Sequence, residues 1–322
     1  MSNSTRAVFL DHASLDLGDL DLAPLRQVFG ELVLHDASTG EQAAERLQGA
    51  QVAISNKVRL DADTLAACPE LKLILVSATG TNNIDLSAAR ERGITVANCQ
   101  GYGTASVAQH ALMLLLALAT RLPDYQAAVR SGAWQRASQF CLLDFPIIEL
   151  QGKTLGILGH GELGGAFARL AEALGMRVLY GALPGRPARA DRLPLEELLP
   201  QVDALSLHCP LTEQTRHLIG AAELALLKPH ALLLNTARGG LVDEQALAEA
   251  LRAGHLGGAA FDVLSEEPPR HGNPLLADDI PRLIITPHNA WGSREARQRI
   301  VGQLSENARA FFAGVPIRVV NG

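Results

Sequence analysis

KTLGILGHGELG, residues 153–164, decides how the rest of the chain is read. A short apolar run at 155–158 leads directly into Gly159, Gly161 and Gly164 in the G-x-G-x-x-G spacing, and Leu163, Phe167, Leu170 and Leu174 follow at helical spacing. The order strand, glycine turn, helix favours a dinucleotide site over a chance glycine turn, even in a chain with 29 glycines. The glycines have separate roles, in which Gly159 permits the tight turn, Gly161 lets backbone approach a pyrophosphate, and Gly164 lets helix and strand pack closely. The helix start then offers free N–H groups and a positive dipole end to phosphates.

Working outward, the alternation continues in both directions. Strands are expected at 154–158, 177–180, 204–207, 231–235, 258–262 and 283–285, with helices near 163–174, 196–199, 221–227, 243–253 and 293–313, the pattern of a doubly wound sheet. Upstream, β-rich runs at 7–10, 32–34, 51–54, 72–76 and 95–97 alternate with helical segments near 22–29, 41–47, 61–68 and 85–92, which makes a second, smaller parallel α/β sheet. Between the two, residues 104–122 are expected as one helix, capped by Thr104 and stopped by Pro123. It is apolar almost throughout, as in a helix buried between layers or domains. The loop SGAWQRASQFCLLDFP after it carries Trp134, Phe140 and Phe145, which either cover a partner subunit or cleft or simply pack beneath the loop. The expected domains are 1–100 with 290–322, the last helix returning to the first domain, and 101–289.

Composition narrows the function classes. The 322 residues are 48% hydrophobic and 19% charged with a net charge of −6, the balance of a folded soluble chain without the basic excess that nucleic acid or an anionic membrane calls for. Cys68, Cys99, Cys141 and Cys209 are scattered, with no C-x-x-C pair and no histidine at zinc-ligand spacing, so reduced thiols and no metal site are expected. The start, MSNSTRAVFLDHASLDL, has no long apolar stretch of the secretory kind, and the most apolar segment, 111–119, is about half of what spans a bilayer. A cytoplasmic location is expected.

Candidate chemistry sits just past strands. In NTARGGLV (235–242), Arg238 stands between small residues where a guanidinium can hold a carboxylate through two parallel hydrogen bonds. FDVLSEEPP (261–269) places Asp262 at a strand end and Glu266 and Glu267 before a double proline; adjacent carboxylates also read as a solvated turn. In TPHNAW (286–291), His288 is suited to proton transfer near neutral pH, although a single histidine also reads as structural. SATGTNN (77–83) follows a strand at the carboxyl end, where open α/β sheets bind ligands, and could equally be a plain turn.

GILGHGELG, HCPLTEQTRHLI, LLLNTARGGLVDEQAL, AAFDVLSEEPP and ITPHNAW occur here in the order found in the D-isomer-specific 2-hydroxyacid dehydrogenases, and the chain resembles that family over nearly its whole length. SNKVRL, ATGTNNIDL and QFCLLDFPIIELQGKTLGI are most similar to its glycerate dehydrogenase and hydroxypyruvate reductase branch. The resemblance implies a Rossmann coenzyme domain inserted in a smaller flavodoxin-like substrate domain, an NAD(P)-dependent reduction of a small 2-oxoacid, hydroxypyruvate or glyoxylate, and a homodimer built around the helix at Thr104. It implies that Arg238 binds the substrate carboxylate and carbonyl oxygen, that His288 protonates that oxygen, and that Glu267 orients His288 and favours its imidazolium form. Lys57, Thr79, Gly80 and Trp291 would contact substrate. Glu162 and Leu163 would sit at the pyrophosphate turn, His208, Cys209 and Pro210 beside the adenosine half, with Thr215, Ala237 and Asp262 continuing the cofactor site.

One departure bears on the cofactor. NAD-preferring members carry an acid at the end of the second strand of the coenzyme domain, close to Ala182 here, yet 173–190 contains no Asp or Glu and does contain Arg177, Arg186 and Arg189. Nothing there repels a 2′-phosphate, and Arg186 or Arg189 could pair with it, so NADP(H) is expected to be favoured with NAD(H) possible. Solvated arginines in a Pro/Gly-rich loop are the alternative. A non-catalytic NAD(H) sensor, or oxidation of another small anion such as phosphite, are the competing functions on the same scaffold.

Overall fold

The computed structural model describes residues 5–187 and 189–322, which form two compact units: the described residues up to Gly103 with Gly292–Gly322, and Thr104–Trp291. In the first unit, β1 (Arg6–Phe9), β2 (Glu31–Leu34), β3 (Val52–Ser55), β4 (Leu73–Val76) and β5 (Thr95–Ala97) form one parallel sheet in the order β2-β1-β3-β4-β5. VAIS and LILV, which form β3 and β4, two of the three inner strands, are buried at every position. Helices cover both faces of such a sheet, so its central strands carry continuous apolar runs rather than an alternation. Three of the intervening helices start where a side-chain oxygen takes up a free N–H: Thr39 accepts from Gln42, Asp61 from Thr64 and Asp85 from Ala88.

The first unit is completed from the far end of the chain. The Arg294–Phe312 helix, capped by Ser293, packs on β4 and on the Ala23–Arg26 helix, and its Arg297 holds Asp19 through two hydrogen bonds of 2.7 and 2.8 Å. Beyond it, Val320 donates its N–H to Val96, and the Asn321 side chain bonds the backbone of both Val96 and Ile94, which occupies the outer edge of β5.

In the second unit, β6 (Thr154–Leu158), β7 (Arg177–Gly181), β8 (Ala204–Leu207), β9 (Leu232–Asn235), β10 (Gly258–Phe261) and β11 (Leu283–Ile285) are again all parallel, in the order β11-β10-β9-β8-β6-β7. Both units are therefore doubly wound α/β sheets, as expected. In each, the chain reverses its direction of travel across the sheet at the first strand: β1 lies between β2 and β3, and β6 between β7 and β8. Crevices for ligands open at the carboxyl ends of strands flanking such a reversal.

The expected helix over 104–122 is two helices. Thr104–Ala119 ends before Arg121, which is left-handed at φ 55°, and Leu122–Arg130 follows with Pro123 in its first turn. Proline has no N–H to leave unpaired there, so Pro123 starts a helix instead of stopping one. Nor is the first of the pair buried all round: Leu114, Leu115 and Leu118 face the core, whereas Met113 and Leu116 are exposed, as are Leu122, Val129 and Trp134 beyond. No single described helix is long and apolar enough to cross a membrane; these two pass that test only as a pair bent by 62°.

Candidate active site

The glycine turn after β6 shows why each glycine is there. Gly159, at φ 101°, lies so close to the end of β8 that a Cβ would sit 2.5 Å from the His208 carbonyl carbon, and a Cβ on Gly164 would be 2.1 Å from the Gly159 oxygen. The first glycine seats the turn on β8 and the last seats the Glu162–Ala173 helix on the turn. A Cβ on Gly161 would meet nothing within 4 Å, so this side of the turn is open, with the unpaired N–H groups of a helix start behind it. Glu162 turns its Oε1 to the Thr104 hydroxyl at 2.6 Å; Leu163, beside it, is half-buried.

His208 ends β8. Its Nε2 lies 2.9 Å from Ser206 Oγ, and its Nδ1 is sealed from solvent with no partner among the described residues, although the residue as a whole is only half-buried. Burial pushes the imidazole down to about 4 and the neighbouring Cys209 thiol up to about 11, so both are neutral near pH 7. The Thr215 hydroxyl donates to Pro210 O and accepts from the Thr212 N–H, closing a small loop. Between that loop and Leu183–Arg186 lies a cleft of about 250 Å³.

The three arginines after β7 differ in state. Arg186 lines the cleft and makes no ion pair among the described residues, whereas Arg189 is bound by Asp191 at 3.0 Å. A third, Arg192, was not expected. It reaches His160 Nδ1 at 3.2 Å and lies over the Tyr180 ring, on which His160 stacks with ring centroids 4.0 Å apart. The aromatic at the end of β7 and the histidine inside the glycine motif were the available signals.

Three turns at the ends of β9, β10 and β11 hold the catalytic candidates. Asn235, fully buried at the end of β9, accepts from the Ala237 N–H and donates to Arg238 O, bending the chain so that Arg238 is exposed. Next to it, a Cβ on Gly239 would lie 1.9 Å from Leu264 O, so only glycine lets this turn rest on the one that follows β10. There Glu267 accepts the Leu264 N–H with Oε1 and meets His288 Nδ1 with Oε2 at 2.6 Å. The buried Glu244 supports the same turn by accepting from Ser265 N–H and Oγ and from Asn273. Ala237, 8% exposed, lies at the buried edge of the first turn, and Thr236 beside it has a sealed hydroxyl with no partner among the described residues.

His288 itself is held at φ 52°, a left-handed conformation that costs a side chain with a Cβ on the order of 1 kcal/mol and persists only where the surroundings fix it. Here Asp262, 1% exposed, accepts the N–H groups of Asn289 and Ala290, and the Trp291 indole donates to His288 O at 3.0 Å. With Nδ1 turned to Glu267, Nε2 is the nitrogen left to act on a reactant.

In the first unit, Lys57 follows β3, with its backbone N–H held by the buried Asp11 at 2.7 Å. Thr79, past β4, donates to Cys99 O and accepts at its own carbonyl from Asn98; Gly80 beside it is half-buried. Among the described residues no cluster of three or more His, Cys, Asp or Glu side chains is placed to hold a metal.

Residues 112–290 match the family model of the D-isomer specific 2-hydroxyacid dehydrogenase NAD-binding domain. A glycerate dehydrogenase of Methylorubrum extorquens is 46% identical over 318 residues, which cover 98% of this chain and 98% of that protein. A crystal structure of a Thermus thermophilus protein superposes with a TM-score of 0.86 at 39% identity, over 98% of this chain and all of that one. An NADPH-dependent glyoxylate/hydroxypyruvate reductase from Sinorhizobium meliloti, solved with NADP and malonate, gives 0.81 at 28% identity, over 99% of this chain and 97% of the other.

Proposed function

The chain belongs to the D-isomer-specific 2-hydroxyacid dehydrogenases, NAD(P)-dependent enzymes that reduce a 2-oxoacid to the D-2-hydroxyacid, and on that premise we propose that its oxoacid is hydroxypyruvate or glyoxylate and its favoured cofactor NADPH. The observation that carries the mechanism is the His288–Glu267 contact of 2.6 Å on a turn packed against the Arg238 turn. Arg238 binds the oxoacid carboxylate and its carbonyl oxygen, and its fixed charge stabilises the oxyanion that develops there. Glu267 holds the His288 ring by Nδ1, and Nε2–H delivers the proton to that oxygen. Trp291, tied to His288 O, forms a wall of the substrate pocket.

The nicotinamide cofactor supplies the hydride when bound. The open face of Gly161, the close seating of Gly159 and Gly164 and the sealed His208 Nδ1 and Thr236 Oγ1, which have no partner among the described residues, fit a dinucleotide along the carboxyl ends of β6, β8 and β9. Arg186, without an ion pair among the described residues and facing the cleft near Pro210 and Thr215, is the side chain best placed for a 2′-phosphate, whereas Arg189 and Arg192 both pair with Asp191, at 3.0 and 3.4 Å.

The exposed apolar residues of Thr104–Ala119 and Leu122–Arg130, with Trp134 and Phe140, support a homodimer through this region, and four free cysteines are in keeping with a cytoplasmic protein. One assay tests the reading: a panel of 2-oxoacids with NADPH and NADH, run on the natural chain and on His288→Ala. Turnover of hydroxypyruvate or glyoxylate is expected, with a higher kcat/KM for NADPH and a kcat lowered by about 10² to 10⁴ in the variant while cofactor still binds. Cofactor binding without turnover of any oxoacid would point to a sensor, and a strong NADH preference would sink the NADP assignment.

A further inference from the structure

His110, on the Thr104–Ala119 helix, has no part in the chemistry above, yet it ends a chain of polar contacts that leads to the catalytic turn. Its Nε2 lies 3.0 Å from Thr286 Oγ1 and 3.6 Å from Asp262 Oδ1, and the Thr286 hydroxyl is 2.5 Å from the same Asp262 oxygen. The hydroxyl has one proton and the carboxylate can only accept, so Thr286 donates to Asp262 and the His110 nitrogen must carry a hydrogen and donate to Thr286. Asp262, 1% exposed, thus receives a direct contact from Thr286 on Oδ1 together with the Asn289 N–H, and the Ala290 N–H on Oδ2. The same helix holds the far end of the turn, where Ser106 Oγ donates to Ala290 O at 2.6 Å.

We propose that His110, acting through Thr286 and Asp262, is a positioning residue that locks the 286–291 turn and thereby the left-handed backbone and the aim of His288. The proposal rests on the reductase reading for its kinetic consequence but not for its structural one. Asp262 cannot hold two successive N–H groups in register unless its own carboxylate is kept from rotating; Thr286 fixes one oxygen, and His110 fixes the direction in which the Thr286 hydroxyl points. A buried network of this kind keeps its geometry only when every member is satisfied. Substrate contacts from Arg238 do not pass through this chain of bonds, so its loss falls on the step in which His288 acts and not on oxoacid binding.

The test uses the full-length protein with His110→Ala, His110→Gln, Thr286→Val and Thr286→Ser. With the oxoacid that the natural chain turns over and saturating cofactor, His110→Ala and Thr286→Val should each lower kcat about 10- to 100-fold with KM within threefold. His110→Gln, which keeps an N–H donor, and Thr286→Ser, which keeps the hydroxyl, should recover most of the rate. The double variant His110→Ala/Thr286→Val should be no slower than the worse single, because the two act in one chain. A second arm needs no turnover. The chain has two tryptophans, so labelling them with ¹⁵N gives two indole N–H signals, Trp134 bonded to Phe140 O and Trp291 bonded to His288 O. Hydrogen exchange of the Trp291 indole should rise at least tenfold in His110→Ala and Thr286→Val, with Trp134 unchanged. Exchange at Trp291 unchanged in both variants overturns the proposal whatever the enzyme does, as does a Gln variant no better than Ala. If the natural chain reduces no oxoacid, the reductase reading fails and the exchange arm still decides the lock.

Discussion

His208 shows how one residue placed for packing acquires a consequence for acid stability. Its imidazole is held near 4 by burial against an ordinary value of 6.5, with Nδ1 unpartnered and Phe167 5.6 Å away between ring centroids. A histidine whose folded value is depressed leaves the unfolded chain holding more protons between those two values, so the stability it leaves intact is complete above about pH 6.5 and falls as pH drops toward 4. Denaturant unfolding at pH 7, 5.5 and 4.5 should therefore show a loss in the natural chain that is markedly smaller in His208→Gln; parallel losses in the two would overturn this account. Asp203 works in a lower range. Burial alone would raise its carboxyl, but bonds from the Thr154 N–H, Lys228 and His230 bring it down to about 2, so its contribution is full above its ordinary value of 3.8 and is lost only as pH falls toward 2.

At the scale of elements, the site is made by turns that could not meet if one glycine were anything else. Gly239→Ala would drive a Cβ into Leu264 O, and because that atom is backbone the two turns must separate, taking Arg238 away from the turn that carries Glu267. We expect kcat/KM for the oxoacid to fall at least 100-fold in this variant with cofactor affinity changed by less than threefold; an unimpaired enzyme would show that the contact is not needed. Much at this scale could be read from sequence. β3, β4, β8 and β9 are buried on both faces and therefore stand out as apolar runs, and the glycine turn is legible because Gly159 and Gly164 answer to steric demands that no other residue meets. What could not be read has a common physical source. Pro123 looks the same whether it ends a helix or sits in the first turn of the next, and only the left-handed Arg121 decides. Arg192 lies outside any motif, and its link to His160 is created by β7 folding beside β6. Glu244 and His110 make their contacts with distant segments, so their local sequence gives no sign of them, whereas the Asn235 side chain bonds only within the turn that it begins.

At the scale of the whole molecule, exposed apolar side chains gather on one pair of helices and the loop after them. Met113, Leu116, Leu122, Val129, Trp134 and Phe140, the last 89% exposed, lie on or just after two consecutive helices, more than a lone soluble chain keeps without use. A second copy covering this surface should make the chain sediment as a dimer, and the double substitution Leu122→Glu and Val129→Glu should shift it toward monomer while leaving far-UV circular dichroism unchanged. A natural chain that is monomeric at micromolar concentration would remove the argument.

The first unit's dependence on Gly292–Gly322 also has a meaning in time. In synthesis the strands of its sheet precede, by the whole of Thr104–Trp291, the helix that packs on β4 and the Val320–Asn321 segment that takes up the outer edge of β5. The first unit can therefore close only after the residues that follow Thr104–Trp291 are made, and until then the edge of β5 lacks the segment that covers it.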